Sequence, residues 1–317
     1  MAGVPCLKKR HAHSRTDGAP VVPRSACLPE SATVFESISV KLELNDITLC
    51  AIDSINRPLA ARALQISTGH CKFADAILFS DEPVEGSFRN VRIDPLSSIA
   101  AYSAFMLKEL VKRFDTPFVL VTQWDGYVID PTAWSAEFLQ YDYIGAKWPY
   151  YTDGMQVGNG GFSLRSKRLL EVLAGAEFSI MPQLAEDELI CRIHRPVLER
   201  RHGIRFAPPA LADRFSYELS LPQGPTFGFH GMINFWRHVP DADIAKIVDL
   251  LPPSAFQNEH CARLAATYFL HQRWIPLRAL YRRWRQHFSF DDVRQQLTPA
   301  VPSEFLARCL QSCEKLL

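Results

Sequence analysis

Two segments of this chain carry residues suited to polar chemistry at the ends of strands. An apolar run, Phe118 to Val121, delivers QWDG, Gln123 to Gly126, which sets a carboxylate just beyond a predicted strand. About thirty residues on, YDYIGAKWP leads into VGNGGFSLRS, Val157 to Ser166. Gly158, Gly160 and Gly161 in that segment let backbone approach a ligand where a side chain would block it. The two segments are expected to face one site.

Further acids fall at matching places. Asp53 closes the run Ile47 to Asp53, and Asp81 closes AILFSD, Ala76 to Asp81. An Asp at such a position is commonly a turn or cap residue. Three of them, Asp53, Asp81 and Asp125, at the carboxyl ends of three predicted strands suggest an acid-rich cleft instead. No GxGxxG opens the first helix and no GxxxxGK[ST] occurs, so dinucleotide and P-loop readings have no motif. GxSxG and HExxH are absent as well, which weakens hydrolase readings.

The elements that must position these residues alternate. ISVKLEL and DITLCAID read as strands, NRPLAARALQISTGHC as a helix and AILFSD as a strand. SSIAAYSAFMLKELVKRF then reads as one helix capped by Ser97 or Ser98, with Ile99, Tyr102, Phe105, Met106, Leu110 and Val111 on a single face. Such alternation predicts a mainly parallel α/β sheet with helices on both faces, and ligands in such sheets bind beyond the carboxyl ends of the strands. Residues 1–32, rich in proline and holding His11 and His13, read as a flexible lead with a weak HxH metal option. Residues 33–238 read as the α/β domain and 239–317 as a helical C-terminal extension.

Composition narrows the partners. With 317 residues, 22% charged, 47% hydrophobic and a formal net charge of +1, the chain gives no bulk electrostatic reason to bind nucleic acid or an anionic membrane. Its eight cysteines form no CxxC pair and read as reduced thiols. No apolar signal region and no eighteen-residue apolar run occur, so a cytoplasmic location is expected.

In that order, QWDG, YDYIGAKWP, VGNGGFSLRS, EDELIC and FGFHG resemble a family known only as a domain of unknown function, similar to the glycosyltransferase-A superfamily. The resemblance runs from about Ile47 to Phe235, with a more distant likeness to fringe-like and β1,3-galactosyltransferase-like enzymes. It implies a glycosyltransferase-A-like (Rossmann-like) fold and transfer of a sugar from a nucleotide-diphosphate donor to a glycan or other hydroxyl acceptor, with inversion. Gln123, Trp124 and Asp125 stand where the family pattern DxD would hold Mn²⁺ or Mg²⁺ on the donor, although only one of its two acids is kept. His230, in FGFHG, matches a late histidine that touches metal or phosphate; imidazole suits Mn²⁺ better than Mg²⁺.

Further roles follow from the same resemblance. Asp187 would be the general base, with Glu186 and Glu188 as alternatives; the blander role for acids in a first helical turn is favourable interaction with the helix dipole. Asp53, Asp81, Asn159, Gly160, Gly161 and Arg165 would line the donor site, and Arg165 or Lys167 would neutralise diphosphate. Phe162 reads as core or stacking, and Trp124, Tyr127, Trp148 and Tyr150 as sugar platforms or packing. Arg273 to Arg285 mixes aromatic and basic residues, which suggests peripheral membrane contact or a solvated basic helix. A catalytically inactive carbohydrate- or nucleotide-binding protein and a metal-dependent phosphohydrolase are the competing readings.

Overall fold

A computed structural model describes residues 41–301 and 303–317; the proline-rich lead with His11 and His13 lies outside the described residues. β1 (Leu42–Ile52), α1 (Arg57–His70), β2 (Cys71–Ser80), β3 (Arg89–Arg92), α2 (Ile99–Ala104) and β4 (Phe118–Thr122) follow in sequence. The two runs expected as separate strands are one strand, β1, carried past a register shift between Leu44 and Thr48. An irregularity of this kind lets a polar insertion, here Asn45-Asp46, interrupt the ladder without ending the strand.

β5 (Tyr127–Val128), β6 (Tyr143–Ile144) and β7 (Phe162–Ser166) come next, with α3 (Lys167–Ala174) after them. The main sheet has the order β3-β2-β1-β4-β7-β6, and all its strands share one direction except β7. This is the expected mainly parallel α/β sheet flanked by helices. Side chains alternate along β1 into two cores: Cys50 and Ile52 join one, Leu49 and Ala51 the other. Both sheet faces are therefore covered, and the strands read as continuous apolar runs for that reason.

The rest is mostly helical: α4 (Glu186–Glu188), α5 (Arg195–His202), α6 (Pro209–Phe215), α7 (Phe235–His238), α8 (Asp241–Leu250), α9 (Glu259–Leu270), α10 (Trp274–His287), α11 (Phe290–Leu297) and α12 (Ser303–Glu314). Two short strands, β8 (Ser216–Tyr217) and β9 (Gly228–Phe229), join β5 in a second sheet of order β5-β9-β8. Among the described residues no strand follows Phe229. The later helices share a core with Leu59 and Ala63 of α1 and with Tyr127, Tyr217 and Phe229 of the small sheet. No described helix is long and apolar enough to cross a membrane.

The helix expected from Ser97 to Phe114 is broken. Ser98 caps it by accepting from the Ala101 amide at 3.1 Å, but after Ala104 the chain makes a π turn, Phe105–Glu109, and then a 3₁₀ turn. The wider turn rotates the residues before it relative to those after it. Phe105, Met106 and Leu110 point into the core, whereas Ile99, expected on the same face, is 57% exposed.

Candidate active site

The site grows out of the strand order. β1 has β2 on one side and β4 on the other, so connections diverge between β1 and β4 and leave a crevice outside their carboxyl ends. Asp53 follows β1 there and Gln123 follows β4. β7 runs antiparallel to β4 with Thr122 opposite Phe162, so its first residues arrive at the same edge and bring Gly160 and Gly161 with them. The Gln123 amide donates to the Gly161 carbonyl at 2.8 Å and locks the two segments together.

The small sheet supplies the other half. β8 and β9 are parallel and β5 opposes β9, so the exits of β8 and β9 and the entrance to β5 lie at one end. Asp125 just before β5, Glu218 just after β8 and His230 just after β9 therefore meet. Glu218 Oε1 lies 3.0 Å from His230 Nδ1, and Asp125 Oδ1 lies 3.3 Å from His230 Nε2. Neither contact is aligned as a hydrogen bond, so the pairing is chiefly one of charge. Gln123 Oε1 is 3.2 Å from the same Nε2.

Electrostatics follow from this packing. Burial opposes charge on His230, but Asp125 and Glu218 outweigh it and hold the imidazole pKa well above the ordinary 6.5. Burial pushes both carboxyls up, yet the His230 charge, helped at Asp125 by the Met232 amide at 3.0 Å, brings each below its usual range. Asn159 anchors Glu218 from behind, its Nδ2 donating to Glu218 Oε2 at 2.7 Å. It does so from the left-handed region, φ 59°, which Asn tolerates better than most residues.

Beside this cluster is a cavity of about 620 Å³ lined by Asp53, Tyr102, Gln123, Trp124, Gly160, Gly161, Glu186, Asp187 and His230, together with the loop Leu96–Ile99. Two close approaches form its floor. A Cβ at Gly160 would stand 1.8 Å from Glu186 Oε1, and one at Gly161 would stand 2.0 Å from His230 Nε2. Asp187 accepts from the Gly160 amide at 2.8 Å, so it faces the cavity while holding the glycine loop.

Not every expected residue reaches the cavity. Arg165 is fully buried beneath the loop, forked onto Glu186 at 2.8 and 2.9 Å, and it supports the Gly160 carbonyl at 3.3 Å. Burial raises the Glu186 pKa even with that arginine beside it. Asp81 is gripped by Arg57 at 2.9 Å and does not line the cavity. Asp125 and Asn159 do not line the cavity either: Asp125 packs against His230, and Asn159 against Glu218, which lies off the cavity as well. Lys167 reaches away, to the Phe114 carbonyl at 3.2 Å. Asp53 is the turn residue that its position suggests, accepting from the Ile55 and Asn56 amides at 2.7 and 2.5 Å, and it also lines the cavity.

Of the aromatic candidates, only Trp124 lines the cavity, edge-on to Phe235. Phe162 is core, Tyr127 packs on Phe229, Trp148 covers Gly158, and Tyr150 is 61% exposed. Sequence reasoning missed Glu218, whose only signal is a lone acid after Phe215 and Tyr217. It also placed Tyr102 with the core, whereas its hydroxyl accepts from Gln123 Nε2 at 3.4 Å at the cavity wall.

The donor set can be tested against a divalent cation. Among the described residues no three His, Cys, Asp or Glu side chains are grouped to hold a metal. One buried carboxylate oxygen without a hydrogen bond (Asp125 Oδ1), one amide oxygen (Gln123 Oε1) and one imidazole nitrogen (His230 Nε2) do converge, at 3.2–3.3 Å from the nitrogen. Oxygen-rich sets with a single imidazole suit Mn²⁺, which completes its shell with phosphate and water. Glu218, 3.0 Å from Nδ1, stands on the side where metal-bound histidines commonly carry a carboxylate partner. The residues fit such an ion.

Residues 85–230 match the family described as "Protein of unknown function (DUF5672)", a segment that includes QWDG, GNGGF, Glu186, Asp187 and His230. No curated protein matches the chain. Among solved structures, the chain is similar to S. aureus TarS 1–349, with 10% identity, 85% of this chain and 89% of that chain covered, and a TM-score of 0.37. It is also similar to the galactosyltransferase LgtC in complex with donor and acceptor sugar analogs, with 13% identity, 66% and 95% coverage and a TM-score of 0.39. The mannosyltransferase PcManGT from Pyrobaculum calidifontis, in complex with GDP-Man and Mn²⁺, gives 11% identity, 86% and 76% coverage and a TM-score of 0.38.

Proposed function

We propose that this protein transfers a sugar from a nucleotide-diphosphate donor to a hydroxyl acceptor, using Mn²⁺ or Mg²⁺. The observation that carries the reading is the convergence of Gln123 Oε1, Asp125 Oδ1 and His230 Nε2, with Gln123 and His230 lining the cavity and Asp125 behind them. No lysine or arginine is among the described residues lining that cavity, and Asp53 and Asp187 add negative charge to it. The charge on His230 is already offset by Asp125 and Glu218, so a diphosphate would be repelled there unless a further cation met it. When bound, the ion supplies positive charge to the leaving diphosphate. His230 must give up its Nε2 proton to coordinate, and Glu218 keeps the ring oriented while it does.

The protein's own residues do the rest. The Gly160–Gly161 turn admits the substrates close to backbone, and Trp124 offers an apolar face to a sugar ring. Asp187 takes the proton of the acceptor hydroxyl as its oxygen bonds to the anomeric carbon. The bond from that carbon to the diphosphate breaks, and the nucleoside diphosphate leaves with the electron pair. Attack opposite the leaving group inverts the anomeric centre. Glu186 has no part in this chemistry, because Arg165 occupies both its oxygens.

Incubation with a panel of nucleotide sugars and Mn²⁺ tests the proposal: slow release of nucleoside diphosphate that stops with chelator is expected. Cleavage of phosphomonoesters instead would make the protein a phosphohydrolase, and donor binding without turnover a binding protein.

A further inference from the structure

We propose that the corner between α9 and α10 docks onto an anionic lipid bilayer, independently of what the cavity binds. α10 carries Arg278, Arg282, Arg283 and Arg285 and no acid, in a protein whose formal net charge is only +1. Burial of Leu277, Leu280, Tyr281 and Trp284 fixes its rotation. Ile275, Arg278 and Arg282, spaced i, i+3 and i+7, then share the outward face.

Charge on that face is unspent. Arg273 pairs with Asp241 and Arg285 with Glu314, but Arg278 and Arg282 are exposed and make no ion pair among the described residues. Acids on neighbouring elements are mostly engaged too, Asp243 with Lys246 and Asp291 with Arg294; Asp249 of α8 and Glu304 of α12 are exposed without an ion pair among the described residues. At the head of the same face is an apolar tip, with Leu270 54%, Trp274 40% and Ile275 68% exposed. Trp274 is braced edge-on against Phe269 at 6.1 Å, so it does not fold back into the core.

A bilayer interface takes both halves of this arrangement. Tryptophan and aliphatic side chains enter the boundary between headgroups and acyl chains, while guanidinium groups meet lipid phosphates. A nucleic acid would satisfy the arginines and leave the apolar tip in water. A second copy meeting the patch face to face would oppose arginine to arginine, so self-association fits the charge poorly.

Vesicle sedimentation of the whole protein tests this. Vesicles of phosphatidylcholine with about 30% phosphatidylglycerol should retain it, and pure phosphatidylcholine should not, because attraction scales with anionic lipid. Arg278→Glu with Arg282→Glu, and separately Trp274→Ser with Ile275→Ser, should each weaken retention about tenfold or more, as should about 0.5 M salt for the charge component. All four positions are exposed, so unchanged melting temperatures will show that the variants fold. Equal retention on both vesicle types, no retention, or variants that bind like the parent would overturn the proposal. A dimer in gel filtration that Trp274→Ser with Ile275→Ser dissolves would assign the patch to a second copy instead.

Discussion

His230 stands between two carboxylates on opposite ring nitrogens, Glu218 Oε1 at 3.0 Å from Nδ1 and Asp125 Oδ1 at 3.3 Å from Nε2. Asp125 shares the Nε2 side of the ring with Gln123, and Glu218 faces Nδ1, where the proposed metal site would have its carboxylate partner. The arrangement predicts that Glu218→Gln leaves the fold intact and lowers Mn²⁺ affinity about 10- to 100-fold, the usual cost of losing such a partner. Calorimetric titration of Mn²⁺ into the protein, with no sugar present, gives the answer. An unchanged affinity would remove Glu218 from the site.

The glycine turn predicts a steric result. Gly161→Ala would put a methyl 2.0 Å from His230 Nε2, and either the ring or the loop must move. Cation binding and turnover should both collapse. Gly224→Ala, with nothing within 4 Å of the new methyl, is the matched control and should behave as the parent. Mn²⁺ binding by the Gly161→Ala protein at parental affinity would show that Nε2 does not take the ion.

Two adjacent acids should fail in different ways. Glu186→Gln leaves the buried Arg165 without its counter-charge, and breaking a buried pair costs about 3–5 kcal/mol, so a large drop in melting temperature is expected. Asp187→Asn keeps an acceptor for the Gly160 amide and should melt near the parent while turnover falls about 10²- to 10⁴-fold. Melts, nucleoside diphosphate binding and turnover measured on one preparation separate the two. Near-parental turnover in Asp187→Asn would rule it out as the base.

Acid sensitivity should trace in part to His238. Its Nε2 lies 2.5 Å from the Tyr217 hydroxyl and its ring packs on Phe229 at 4.4 Å. Burial, with Arg237 adding to it, pushes its pKa from 6.5 down to about 4. Between those values the unfolded chain binds more protons than the native one, so this residue's share of stability is complete above pH 6.5 and is lost as pH falls toward 4. His238→Gln should lose less stability over that range than the parent. Parallel pH–melting curves for the two proteins would refute the assignment.

Much of this was legible in the sequence because it is local. Strands such as Phe118–Thr122 announce themselves as apolar runs, and a residue just after such a run must lie at a strand end, as Gln123 does. Glycines at 160 and 161 marked a close approach before its partners were known. The partners were not legible: that Gly160 meets Glu186 and Gly161 meets His230 depends on β7 running antiparallel beside β4, a pairing between segments forty residues apart. Glu218 lay out of reach because β5, β8 and β9 have two residues each, too short to show any period, yet their directions alone bring residues 125, 218 and 230 together. The strand-end pattern offered Asp81 as a site residue, and the resemblance offered Arg165, with Glu186 as an alternative to Asp187. Only packing decided that Arg165 and Glu186 neutralise each other below the floor and that Arg57 holds Asp81, because a buried charge takes the nearest opposite charge the fold provides.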